Sequence, residues 1–221
     1  MKKQNLYLTV AVMAFTMIFS SCEKKYKGTT GFIPAYVINA TNVEGGSSCI
    51  ATIKAIMYWY SGDYEAASSE YKNGGFILNL PASVPDEYLR FINDEYFSEI
   101  ISDKNAKVGS LSIFACDNDG YQIGNFAYRF SNRSAYYTAE YIYADRNFTI
   151  KGTINDRYYS TVFNCTFKRG WNIMYLIDED NNELYTTQKP SDMNFKWYFY
   201  EYGPCYDSMS PKQRKMKLGK S

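Results

Sequence analysis

Between Cys49 and Tyr202 the chain returns again and again to one pattern, in which large apolar or aromatic side chains alternate with polar ones over short runs. ATIKAIMYWY, SLSIFACD, YQIGNFAYRF, YYTAEYIYAD, YYSTVFNCTFK and NFKWYFYEY all show it, with Gly, Asn, Asp or Pro between them. A period of two is the signature of a strand, because successive side chains point to opposite faces of a sheet. In the first run Ile53, Ala55, Met57 and Trp59 share a face; in the last, Phe195, Trp197 and Phe199 do. Tyr, Phe and Trp make up 18% of the chain, a composition suited to half-buried strands. Roughly nine short strands at this spacing predict an all-β, mainly antiparallel domain over 49–203, a β-sandwich or barrel-like fold. One short helix is expected in their midst. Ser83 can cap it, Pro85 suits its first turn, and Tyr88, Phe91 and Ile92 recur at helical spacing. Asn118-Asp119-Gly120 predicts a tight hairpin.

The N-terminus has a different texture. Lys2 and Lys3 precede a mostly apolar stretch over 6–19, which ends in Phe19-Ser20-Ser21-Cys22. Positive residues, a short apolar run and small residues in that order predict a bacterial secretory signal over 1–21. The stretch resembles the lipobox of bacterial lipoproteins, which implies that Cys22 carries lipid and that the membrane is its first partner. Residues 22–48 are expected to act as a tether and 204–221 as a basic, disordered tail. The formal net charge is +1, and losing Lys2 and Lys3 makes the rest −1. The tail holds five cations (Lys212, Arg214, Lys215, Lys217 and Lys220), leaving −6 on residues 22–211. An acidic body of this kind disfavours nucleic acid as a partner.

The segments GGFILNLP, SLSIFACDNDGYQIG, YIYADRNFTIKGT, GWNIMYLI and KWYFYE resemble motifs of uncharacterised lipoproteins from Bacteroidales bacteria. The resemblance implies a β fold and a place in the cell envelope, at the outer membrane, and no particular activity. Surface-displayed lipoproteins of that group carry acidic residues after the lipidated cysteine, whereas Cys22 is followed by Glu23-Lys24-Lys25. Both the periplasmic and the surface orientation stay open.

Assigning Cys22 to lipid leaves Cys49, Cys116, Cys165 and Cys205 in a compartment that permits disulfides. Four cysteines allow three pairings. Cys116 and Cys165 lie within strand patterns, while Cys49 and Cys205 flank the domain and are the candidate bridge. Histidine is absent, which removes Ser-His-Asp and Cys-His catalysis and the common zinc sites. No cofactor is implied. Two acid-rich loops, 117–120 and 178–183, have calcium-type ligands but lack the EF-hand spacing, and hairpin turns use the same residues. Paired carboxylates such as Glu140 and Asp145 could run glycoside hydrolysis, the enzymatic alternative. Asp207-Ser208-Met209 is similar to an O-glycosylation acceptor of Bacteroidetes proteins.

The feature that points furthest toward function is a set of tyrosine rows. Tyr198, Tyr200 and Tyr202 alternate with the core face of the last strand, and Tyr141 and Tyr143, like Tyr58 and Tyr60, repeat the spacing elsewhere. Exposed, such rows would stack on sugar rings or form a protein contact; turned inward, they would stabilise the sheet. The sequence therefore predicts a lipid-anchored envelope protein, a noncatalytic binding module for a glycan or another envelope protein. A hydrolase and a structural lipoprotein are the alternatives.

Overall fold

The computed structural model describes residues 36–59, 62–92, 97–131, 135–155, 160–179, 182–191 and 193–202. The signal stretch, Cys22, Cys205, the 207–209 motif and the basic tail lie outside the described residues, as do Tyr60 and part of the second acidic loop.

Thirteen strands are found among the described residues. In chain order they are β1 (Tyr36–Ala40), β2 (Thr52–Trp59), β3 (Gly62–Glu70), β4 (Phe76–Leu80), β5 (Arg90–Phe91) and β6 (Lys107–Cys116). There follow β7 (Gln122–Ser131), β8 (Ala135–Ala144), β9 (Phe148–Asn155), β10 (Ser160–Phe167), β11 (Gly170–Glu179), β12 (Asn182–Thr186) and β13 (Lys196–Glu201). Three strands go beyond the sequence expectation: β1, which takes residues 36–40 out of the expected tether over 22–48 and into the fold; β3, whose GDYEAASSE carries few large apolar side chains; and β5, two residues long.

β1 and β4 form a small antiparallel sheet, and the other eleven strands form one large sheet in the order β3-β2-β6-β7-β8-β11-β12-β10-β9. β13 pairs with β7, and β5 pairs with β6. All pairings between strands are antiparallel except β10 with β12. The all-β, mainly antiparallel class holds, and the large sheet is open, not a closed barrel.

The principal core lies between the small sheet and one face of the large one. Ile38, Ala40, Phe76, Leu78 and Leu80 pack there against Ile53, Ala55, Met57, Leu111, Ile113, Phe126, Tyr141, Trp197 and Phe199. Alternation decides membership: Ile53, Ala55 and Met57 are at most 1% exposed, as their period-two spacing requires. Trp171 ties the layers together by donating its indole N–H to the Pro81 carbonyl at 2.8 Å. A second core lies on the opposite side, where Ile142, Ala144, Phe148, Ile150, Cys165 and Phe167 cluster under the β9–β10 hairpin.

The expected helix after Ser83 does not form. Only a 3-10 turn, Asp86–Tyr88, is present, and its start at Pro85 has no side-chain cap. Tertiary contacts override the local signals here. Tyr88 stacks on Tyr64 with centroids 5.0 Å apart, Leu89 is buried in the principal core, and Arg90–Phe91 pair with Val108 and Lys107. A helix would have had to give up all three. By contrast, the Asn118-Asp119-Gly120 hairpin joins β6 to β7 as its residues demand. The Asp117 carboxylate accepts the N–H groups of Asp119 and Tyr121, and Gly120 adopts φ +84°.

Candidate functional site

The large sheet contains a fork. β6 pairs with β8 over Val108–Leu111 but with β7 over Ile113–Cys116. β7 in turn pairs with β6 up to Phe126 and with β8 from Tyr128. β8 pairs with β7 over Tyr136–Ala139 and with β6 over Tyr141–Ala144. Each strand thus exchanges one neighbour for another at a single residue: Ser112 in β6, Ala127 in β7 and Glu140 in β8. The three ladders diverge around these positions and leave an opening.

A cavity of about 350 Å³ occupies that opening. Its polar lining comes from Ser110, Ser112, Asn125, Thr138 and Glu140, with Phe114 and Tyr202 supplying aromatic rings. Alternation explains why these side chains meet. Leu111, Ile113, Phe126, Tyr141 and Trp197 turn into the principal core, so the even positions of β6 and β8 and the odd positions of β7 turn the other way.

A second cavity of about 750 Å³ adjoins it, sharing Ser110 and Glu140. Its walls are apolar, built from Phe97, Ile142, Ile150, Phe163, Phe167 and Met174, with Arg90 and Phe91 also on its lining. Glu140 therefore stands between a polar and an apolar space. Burial raises its carboxyl above the ordinary value of 4.5, and among the described residues no cation pairs with it. Tyr185, on the apolar side, has its phenol pushed up to about 12, chiefly by burial and then by nearby Glu183 and Glu140.

Beside the polar cavity, Arg129 lies against a tyrosine cluster. Its guanidinium is 4.4 Å from the Tyr200 ring, 4.8 Å from that of Tyr198 and 5.3 Å from that of Tyr136. One of its terminal N–H groups donates to the Tyr136 hydroxyl at 3.1 Å. The Arg129 Nε and the Tyr200 hydroxyl are buried without a hydrogen-bond partner among the described residues.

The sequence-derived candidates separate on this framework. Tyr198 and Tyr200 are half-buried beneath Arg129, so they line the protein's own cation and not an open row. Tyr202 is 61% exposed and reaches the polar cavity. Tyr141 and Tyr143 are core residues at 7% and 4% exposure, where Tyr141 stacks on Trp197 and Tyr143 packs on Trp171; no exposed row forms on β8. Their face of β8 is the one that meets the small sheet, which alternation alone could not decide.

Glu140 and Asp145 sit in different surroundings. Burial acts to raise the Asp145 carboxyl, but hydrogen bonds from the Arg146 side chain and the Lys107 backbone hold it below the ordinary range. Asp145 is a structural ion-pair residue, bonded to Arg146 at 3.0 Å. Cys116 and Cys165 are buried thiols, and Cys49 is half-buried while its candidate partner Cys205 lies outside the described residues. No cluster of three or more metal-ligating side chains occurs among the described residues.

Sequence reading passed over Ser112, Asn125 and Arg129, since polar residues on a strand's second face look like ordinary solvated positions. Glu140 had a clearer signal as the single acid in AYYTAEYIYA. Fold and site together define a class, a mainly antiparallel β protein with paired polar and apolar cavities on one sheet face. Comparison with protein families, with curated proteins and with solved structures finds no match to the chain.

Proposed function

We propose that this is a lipid-anchored protein of the cell envelope, held at the outer membrane through Cys22, that binds a saccharide without processing it. The observation that carries the reading is the cavity at the strand fork. Hydroxyl, amide and carboxyl groups from Ser112, Asn125 and Glu140 converge there beside the rings of Phe114 and exposed Tyr202. Sugars present hydroxyls around an apolar ring face, and this set offers both kinds of contact. A volume of about 350 Å³ falls within the roughly 300–1,000 Å³ of small-ligand pockets. The lipobox supports the envelope address, and, since β1 already belongs to the fold, the residues between Cys22 and β1 would serve as the tether.

A glycan screen on the full-length protein tests the reading. A binder should be found whose affinity drops in both Tyr202→Ala and Asn125→Ala, with the fold unchanged by circular dichroism. Absence of any saccharide ligand, or a ligand indifferent to both substitutions, would refute it.

One observation favours a second reading. A carboxyl whose hold on its proton is raised by burial suits a general acid, as glycoside hydrolysis needs. If Glu140 serves in that way, saccharide binding would be accompanied by turnover that Glu140→Gln abolishes. Binding without turnover retains the first reading.

A further inference from the structure

The apolar cavity has its own chemistry. Most of its wall is hydrocarbon, from Phe97, Ile142, Ile150, Phe163, Phe167 and Met174, with Ser110, Glu140 and Arg90 as the polar side chains on it. Phe163 is held in place from both sides, stacked on Tyr185 at 5.0 Å and meeting Phe97 edge-on at 5.2 Å, so the cavity is built and not a loose gap. Where the lining reaches solvent it changes character. Arg90 is exposed there and has no carboxylate partner among the described residues, and Phe91 beside it is 49% exposed. Lys107, 4.7 Å over the Phe91 ring, is already paired with Asp86 at 2.6 Å, which leaves Arg90 as the cation on the lining. A mainly apolar interior with one unpaired cation and an aromatic lip at the edge is complementary to a molecule that is apolar along its length and negative at one end.

We propose that this cavity binds a single-chain anionic amphiphile of the fatty carboxylate type, with the chain among Ile142, Phe163 and Met174 and the head group at Arg90. Glu140 also lines the cavity, and burial raises its carboxyl above the ordinary value, which lessens its opposition to a negative ligand. The volume of about 750 Å³ lies within the range of roughly 300–1,000 Å³ seen for ligand pockets. The proposal stands apart from the saccharide reading, because apart from Ser110 and Glu140 the two cavities have different walls.

Titration calorimetry of the full-length protein with dodecanoate, below its micellar concentration, tests it. Binding should saturate at one molecule per chain and weaken about fourfold for each methylene removed in a series down to octanoate. Arg90→Glu should weaken it about fivefold or more, since an exposed charge contact of this kind contributes up to about one kcal/mol and is here reversed. Met174→Trp, which fills the cavity, should abolish it. Arg90 is exposed, so its variant remains informative even if the Trp variant folds poorly. No saturable binding, equal binding in both variants, or tighter binding of dodecyltrimethylammonium than of dodecanoate would each overturn the proposal.

Discussion

Tyr200 offers a test in which two substitutions of one residue should separate in stability. Its ring lies 4.4 Å from the Arg129 guanidinium, the nearest of the three tyrosines around that cation. Its hydroxyl is buried and finds no hydrogen-bond partner among the described residues. A cation–π contact contributes about 0.5–1 kcal/mol at an exposed site and about 2 when desolvated, so this half-buried ring should be worth about 1. The unpartnered hydroxyl costs about 1–3 kcal/mol of desolvation. Tyr200→Phe keeps the ring and deletes the hydroxyl, and should stabilise the protein by about 1 kcal/mol. Tyr200→Leu deletes the ring as well, loses the contact with Arg129, and should fall below the phenylalanine variant by about 1–2 kcal/mol. Urea unfolding followed by circular dichroism reads both as shifts in midpoint at constant slope. In a double-mutant cycle with Arg129→Met, the Tyr200→Leu effect should shrink by about 1 kcal/mol. A Tyr200→Phe variant less stable than the parent, together with zero coupling to Arg129, would refute the reasoning.

Other expectations follow from single features. Glu140 has a raised carboxyl, so below its ordinary value of 4.5 it costs nothing, and stability falls as pH rises through the interval up to the folded value; Glu140→Gln should flatten that limb in pH-dependent unfolding. A methyl group at Gly124 would overlap the Phe199 ring and the Tyr200 carbonyl, so Gly124→Ala should cost about 1–3 kcal/mol in urea midpoint by forcing β7 and β13 apart. Burial pushes the Cys165 thiol up to about 11 and also raises that of Cys116, so both should resist iodoacetamide at pH 8 until the chain unfolds, as mass spectrometry of alkylated peptides will read. Fatty-acid labelling should mark the protein and vanish in Cys22→Ala.

The β class was legible because alternation survives in the chain wherever one face is core. Ile53, Ala55 and Met57, and Phe195, Trp197 and Phe199, are buried as their spacing requires. The helix at Ser83 was misread because its local signals are real but weak, and the packing of Tyr88 and Leu89 outweighs them. Among the tyrosines, period two says that a row shares a face without saying which face. Tyr141 and Tyr143 turned inward because the small sheet covers that side of β8, a contact with residues some hundred positions away in the chain. The fork itself was illegible for a related reason. Ser112, Ala127 and Glu140 are brought together by a change of strand partner, and nothing in a strand's own composition records which neighbour it has.

That change of partner has a consequence for how such a site could diversify. A pocket made of loops can be altered by inserting or deleting residues, with the scaffold left intact. Here the pocket walls are the interiors of three strands, and shifting any one of them by a residue would turn Glu140, Ser112 or Asn125 to the principal core. Lengthening or shortening the chain at the fork would therefore dismantle the sheet before it reshaped the pocket. The lining can change only by exchanging side chains in place, which alters the size and chemistry of the opening while the strand ladders around it stay as they are.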